Sequence, residues 1–544
     1  MERRTFLKIL SSAGIVSLVS PTFAMEVCKN KVSKSSSALL ESAFRNPPFS
    51  SGVYTWWHWM NGNITKDGIT RDLEAMKANG IAGYQLFEAG SGIPIGPVES
   101  LSDEWVDLIL HTLKESERLG LEFAMHNCPG WSSSGGPWIT PDKAMQIITW
   151  SETKITGGKQ VRIQLPTPKH MFDYYIDTYC LAIPANMKVI PRLSILELSN
   201  RLDKDGVLTW DVPTGEWLIM RFGQTAKDQK NKSAPSKSTG LDCDKFSTEA
   251  LDYHLNCMFK RLMPAMEKIA KHSKIGLLID SYETGDQDWT SDMPAYFEQS
   301  HGYELYPFLP VLANKIVESE ESTKRFLFDF RRVRADMFAE RYYGHFQKRC
   351  KEKGIITYTE PYGGNMMEEL QVAQQLDINM GEFWCGQTVL WANYKYNRTV
   401  KQVASIAHTL GGKVVGAEAF TSEPDADKWL QYPYALKSLG DYMFTRGLSR
   451  IYFHRFAHQP HPTAAPGMTM GAWGLHFDRT NTWWKPGKAW IEYLNRCQYI
   501  FQSSTFYGDI LYHNGDDSFG STIEPEQTLL APPEGYDYDM VNTE

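Results

Sequence analysis

Residues 52–90 read GVYTWWHWMNGNITKDGITRDLEAMKANGIAGYQLFEAG, and the order of signals within them decides the fold. An apolar, aromatic run (52–59) leads through the polar loop MNGN to Thr65, a residue suited to cap a helix. Ile69, Leu73 and Met76 then share one helical face, Gly80 supplies the stop, and a second apolar run starts at residue 81. Strand, helix and strand in one short span make a βα unit.

The unit repeats along the chain. Ser102 caps a helix with Val106, Ile109, Leu110 and Leu113 inward and Gly120 at its end, and LEFAMHNCPGW (121–131) supplies a third strand. After an interruption come IGLLIDSYE (275–283), GIITYTEPYG (354–363), LDINMGEFW (376–384), KVVGAEAF (413–420) and SRIYFHRFAHQ (449–459). Eight strands alternating with helices predict an α/β fold of the (β/α)8 TIM-barrel type, with its active site at the C-terminal strand ends. The rival, a doubly wound sheet, calls for a Gly-rich phosphate turn after the first strand, and WWHWMNGN is not one.

The interruption, residues 151–245, changes period. QVRIQL (160–165), YIDTYCLAIPA (175–185), GVLTWDV (206–212) and EWLIMRFG (216–223) read as strands of a small β-sandwich-like insert between barrel strands 3 and 4. Its tail, AKDQKNKSAPSKSTG (226–240), is mobile by composition and placed to fold over the barrel mouth. The barrel then occupies 51–150 and 246–500, and residues 501–544 read as the start of a C-terminal β module. The chain stops before that module closes, so a longer protein is expected.

At 544 residues the chain exceeds the roughly 250–300 at which one core stops growing, which suits a large domain with additions. Aromatic residues reach 13 %, many beside Gly, Asn or His rather than in apolar runs, as a sugar-binding cleft uses them. A net charge of -8 spread without a basic block argues against nucleic acid as a partner. MERRTFLKILSSAGIVSLVSPTFA (1–24) has the basic start, apolar stretch and small-residue exit of a signal peptide, and the polar, serine-rich 25–50 reads as a linker. A periplasmic or secreted protein without a transmembrane segment is expected. The eight cysteines are too scattered for a disulfide framework or a zinc knuckle and read mostly as small buried hydrophobes.

In KVVGAEAF an apolar strand ends in a carboxylate, Glu418, and burying such a group costs several kcal/mol unless it is partnered. The other predicted strand ends repeat the oddity: Glu88, Asp280, Glu283, Glu360 and Glu382, with His58, His126, His454 and Arg455 among them. Taken singly, each acid is a solvated or ion-paired residue, each histidine a structural one, and Trp56 and Trp57 barrel packing. A barrel brings them to one mouth, where crowded carboxylates share protons or a cation. With aromatic walls, that pattern suits glycoside hydrolysis, which needs one acid and one carboxylate, here Glu283 and Glu418 with Glu360 in reserve. The surplus acids Asp280, Glu360 and Glu382 offer hard oxygen ligands for calcium, and no zinc motif or GxSxG elbow is present.

The stretches WWHWMNGNITKDGITRDLEAMKANGIAGYQLFEAG, MHNCPGWSSSGGPWITPDKAMQ, IDSYETG and GAEAFTS resemble the α-L-rhamnosidases of glycoside hydrolase family 106, from about residue 50 to the end. The resemblance implies a (β/α)8 barrel and calcium-dependent release of terminal α-L-rhamnose, with inversion, from pectic glycans such as rhamnogalacturonans. It also implies Glu283 and Glu418 as the catalytic pair, for which Glu283 as acid and Glu418 as base is the working assignment and Glu360 the reserve. Rhamnose carries a methyl edge and three hydroxyls, so Trp56, Trp57 and Trp131 are candidates for the wall and His58, His126, Asn127 and Arg455 for the polar contacts. A retaining, β-galactosidase-like barrel enzyme and a non-catalytic glycan-binding protein stay open beside this reading.

Overall fold

A computed structural model describes residues 34–544 apart from 91, 387–388, 424–426, 472, 516–521, 523 and 526–529. The expected signal peptide and Cys28 lie outside the described residues. Within the segment read as a linker, Lys34–Arg45 forms a helix, in a unit separate from Phe49–Glu544.

The larger unit is built on a closed barrel of eight parallel strands in sequential order. They are β1 (Tyr54–Met60), β2 (Gly83–Ala89), β3 (Glu122–His126), β4 (Ile275–Ile279), β5 (Ile356–Thr359), β6 (Ile378–Trp384), β7 (Gly416–Thr421) and β8 (Arg450–Ala457). Helix α1 (Lys66–Ala78) is capped by the Thr65 hydroxyl, and α2 (Asp103–Leu119) by Ser102, with Gly120 left-handed at its end. The two-residue period of β1 divides its side chains. Trp57 goes out to the helices, where its Nε1 donates to Asp72 of α1 at 3.2 Å, while Trp56 joins the barrel interior with Tyr54, Tyr358 and Tyr452. Glycines make room for these tyrosines: a Cβ at Gly83 or Gly276 overlaps the ring of Tyr54 or Tyr358.

The insert starts earlier than its expected boundary at 151, because Gln146–Thr156 is already a strand of it. That strand pairs with Glu216–Ala226, which pairs with Ile176–Pro184 and so with Leu196–Glu197. Lys159–Gln164 and Val207–Val212 form a second antiparallel pair, and Cys180, Ala182, Leu208, Trp210 and Ile219 share one core between the two.

The loop at 226–240 does lie over the mouth, held by hydrogen bonds that its composition does not reveal. Asn231 is buried and donates to the carbonyls of Pro129 and Ser238, both at 3.0 Å. The Ser233 and Lys232 carbonyls accept from the Gly90 and Trp131 amides at 2.7 and 3.1 Å.

Near the C-terminus, Ile510–His513 and Tyr538–Val541 pair in parallel. Tyr538 and Met540 pack on Leu370 and Ala373 of α3 (Glu369–Ala373) and on Ile406 of α4 (Val389–Thr409). The seven described cysteines are free, five of them buried. No helix among the described residues is long and apolar enough to cross a membrane.

Candidate active site

Strand register assembles the acidic centre. Glu382 on β6 and Glu418 on β7 are direct partners across the ladder, so their side chains share the inner face. Asp280 follows β4 immediately, and Glu360 follows β5, its amide donating to Ile279 O at 3.2 Å. These four carboxyl groups are buried, whereas Glu283, one turn of chain beyond Asp280, keeps a side chain 38 % exposed.

Such crowding has an electrostatic cost. Burial first, then like charges, pushes Asp280, Glu360 and Glu418 well above the usual carboxylate range. Glu360 is pushed by Asp280, Glu418 and Glu382, and Glu418 by Glu382, Asp280 and Glu283. Asp280 and Glu360 hydrogen-bond to each other, which two carboxyl groups do by sharing a proton. Donors soften the rest: the Tyr362 hydroxyl lies 2.6 Å from Glu360 Oε2 and 3.0 Å from Glu382 Oε2, Trp384 Nε1 donates to Glu382, and the Thr421 hydroxyl donates to Glu418. Glu283 Oε2 accepts from Lys232 Nζ at 2.7 Å and from Trp131 Nε1 at 3.1 Å.

The histidines around this centre are neutral. Burial, and then the charge of Arg455, lowers His454 to about 3, and its Nδ1 stands 3.6 Å from Glu418 Oε1. His58 is lowered by burial and by His454 and Arg455. Trp56 Nε1, His58 Nδ1 and His454 Nδ1 are buried with no hydrogen-bond partner among the described residues, and all three side chains line a cleft of about 460 Å3. Trp131, Trp384 and Trp473 wall the same cleft, and Asp280, Glu283, Glu382 and Glu418 open into it. A second lobe of about 340 Å3 shares Lys232, Ser281, Glu283 and Glu382 with it.

Of the residues expected at the site, Glu283, Glu418, Asp280, Glu382, Trp56, His58 and Trp131 line the cleft, and Glu360 sits buried beneath it. Four do not reach it. Trp57 points outward, as its place in β1 requires. His126, lowered by burial to about 4, has its Nδ1 2.9 Å from Cys128 O, and its Nε2 accepts from the Asp280 amide at 3.3 Å, so it positions a carboxylate. Asn127 donates to Ser133 O and Leu278 O at 2.9 and 3.1 Å inside the β3 turn. Arg455 is fully buried, its Nε donating to Trp473 O at 3.2 Å. Glu88 also turns away, accepting from Trp105 Nε1 of α2 at 2.6 Å.

Sequence reading missed Lys232, Trp384, Thr421, Tyr362 and Trp473. Trp384 and Thr421 were within reach, as neighbours of strand-end acids. Lys232 was not, since it lies in a polar loop whose path only tertiary contacts define. Among the described residues, no group of three or more His, Cys, Asp or Glu side chains is placed to hold a metal ion, so Asp280, Glu360 and Glu382 are not drawn into a cage.

Comparison with known proteins places this geometry in a family. The alpha-L-rhamnosidase profile of glycoside hydrolase family 106 matches residues 45–178 and 169–544. A Formosa agariphila protein that carries the provisional name beta-glucuronidase is 40 % identical over 536 residues, 93 % of this chain and 45 % of that protein. The rhamnosidase of Novosphingobium sp. PP1Y superposes with a TM-score of 0.82 at 24 % identity, over 92 % of this chain and 64 % of that one, a likeness of fold. The chain thus spans about half the length of the curated relative it matches. With a family profile covering nearly all of the described barrel, insert and C-terminal strands, the chain belongs to glycoside hydrolase family 106, the alpha-L-rhamnosidases.

Proposed function

We propose that this chain is the barrel part of a periplasmic or secreted glycosidase that releases terminal α-L-rhamnose from rhamnogalacturonan-type plant glycans with inversion. One observation carries the reading: Glu283 and Glu418 face a single tryptophan-walled cleft, into which Asp280 and Glu382 also open. Inversion needs an acid that protonates the leaving oxygen and a base that takes a proton from the attacking water. Glu283 stands half-exposed where the two lobes meet, on the way out for a leaving group, and is assigned the acid. Glu418 lies on the buried floor beside neutral His454 and Thr421, and is assigned the base. Trp56 Nε1 and His58 Nδ1, without a hydrogen-bond partner among the described residues, are placed to meet sugar hydroxyls.

Calcium belongs to this reading only as a neutralising charge. The donor set Asp280, Glu360 and Glu382 is all oxygen, and among the described residues Glu360 Oε1 is buried with no hydrogen-bond partner, apart from the proton its carboxyl shares with Asp280, which suits a hard cation. These groups are not gathered as a cage, so no step is routed through a metal. Loss of turnover with EDTA, restored by calcium, assigns the neutralising charge to a cation; unchanged turnover assigns it to shared protons.

Time-resolved proton NMR with an aryl α-L-rhamnoside tests the reaction. β-rhamnose appearing before mutarotation, abolished by Glu418→Gln, is the expected result; an α product overturns inversion. The name of the F. agariphila relative favours one alternative, β-glucuronide hydrolysis. An aryl β-D-glucuronide run beside the rhamnoside separates the two.

A further inference from the structure

Past the end of β5 the chain turns at Pro361. The Tyr362 amide donates back to Glu360 O at 2.9 Å, which brings the side chains flanking the proline together. The Tyr362 hydroxyl then reaches Glu360 Oε2 and, across the floor of the cleft, Glu382 Oε2. The two arms of the turn are tied to the barrel, Glu360 through its amide to Ile279 O at 3.2 Å and Tyr362 through its carbonyl to the Tyr282 amide at 2.9 Å. The tip is different. Proline has no N–H, so its carbonyl is the only backbone group by which the tip can be held.

That carbonyl accepts from Gln402 Nε2 of α4 at 2.9 Å. Gln402 is fully buried, and its Oε1 accepts from Arg398 Nη1 at 3.2 Å and from the Thr522 hydroxyl at 3.1 Å. Two donors at one end of a carboxamide require the oxygen there, which leaves the NH2 end for Pro361. Thr522 comes from the C-terminal segment and is buried as well. Its hydroxyl accepts from Arg398 Nη1 at 3.1 Å, and its amide donates at 3.1 Å to Glu369, the carboxylate that Arg398 holds at 2.5 and 3.0 Å. The network is thus closed around Gln402, with one end in the C-terminal segment and the other on the turn beneath the cleft.

We propose that Gln402 is a positioning residue for glycoside hydrolysis: its grip on the Pro361 carbonyl keeps Glu360 and Tyr362 in the floor of the cleft, and Thr522 keeps Gln402 turned toward Pro361. Through the Tyr362 hydroxyl the grip extends to Glu382, the ladder partner of Glu418. The proposal rests on the reading of Glu418 and its carboxyl neighbours as the reacting floor.

The test uses the full chain. Gln402→Met keeps the length of the side chain and removes both ends of its hydrogen bonding. It should lower kcat on an aryl α-L-rhamnoside by about 10- to 100-fold while KM stays within about twofold. Thr522→Val should lower kcat by about three- to tenfold, Thr522→Ser should restore it, and the double variant should be no slower than Gln402→Met alone, because Thr522 acts through Gln402. Hydrogen exchange at the Glu360 and Tyr362 amides should rise about tenfold in Gln402→Met while β4 keeps the protection of the wild type. Unchanged kcat, or a loss of kcat with unchanged exchange at these amides, overturns the proposal. Exchange that rises equally in β4 also overturns it, since the role is then general stability. The Thr522 pair decides the matter where Gln402→Met does not fold. A wild type that releases no rhamnose sinks the rhamnosidase reading and leaves exchange at the two amides to decide whether Gln402 holds the turn.

Discussion

Glu418 shows how one residue acquires a chemistry that its neighbours decide. As the proposed base it must be ionised, yet burial, Glu382 and Asp280 all favour its protonated form. Activity should therefore fall as pH drops through a value above the ordinary carboxylate range. Asp280→Asn removes one of the like charges and should move that acid limb down by about one pH unit, read from the pH dependence of kcat/KM. Glu283→Gln should lower turnover of a rhamnosyl disaccharide by roughly 10²- to 10⁴-fold, and far less for a nitrophenyl rhamnoside, whose leaving group needs no proton. The acids were legible because a carboxylate closing an apolar strand contradicts its setting. His126, Asn127 and Arg455 looked equally out of place, but His126 and Asn127 are satisfied by backbone carbonyls, and Arg455 is enclosed with its Nε on the Trp473 carbonyl, contacts that no residue pattern records.

Between elements, β2 packs on α2 through a charge. Glu88 is buried among Trp105 and Ser100, and burial raises it to about 7. A folded-state value above the unfolded one makes a stability contribution that is full below about 4.5 and is lost as pH rises through about 7. Glu88→Gln keeps an acceptor for Trp105 and removes the titration. Its denaturation midpoint should stay flat where that of the wild type declines between pH 5 and 8, with a gain of up to about 3 kcal/mol at the upper end. Barrel filling makes a second prediction. Gly276 on β4 lies against the Tyr358 ring of β5, so Gly276→Ala should cost about 1–3 kcal/mol in urea denaturation.

At the scale of the whole molecule, the C-terminal strand pair is part of the packed body. Tyr538 and Met540 cover Leu370, Ala373 and Ile406, and Lys401, 1 % exposed, reaches Asp537 at 2.9 Å. Ending the chain at residue 504 uncovers this patch and should cost several kcal/mol, visible as a lower thermal midpoint beside the 544-residue chain. The loop at 226–240 makes the converse point, for its composition suggests motion while its hydrogen bonds hold it over the mouth.

What the sequence determined by itself was the barrel, the strand identities and the acids at their ends, because hydrophobic period, helix caps and a charge closing an apolar run are local signals. Tertiary structure alone decided which side chains share the cleft, since strand period and register sent Trp57 and Glu88 outward and paired Glu382 with Glu418. It also decided that Lys232 stands on Glu283, 51 residues away along the chain. That contact depends on where a loop closes in space, and no spacing of residues encodes it.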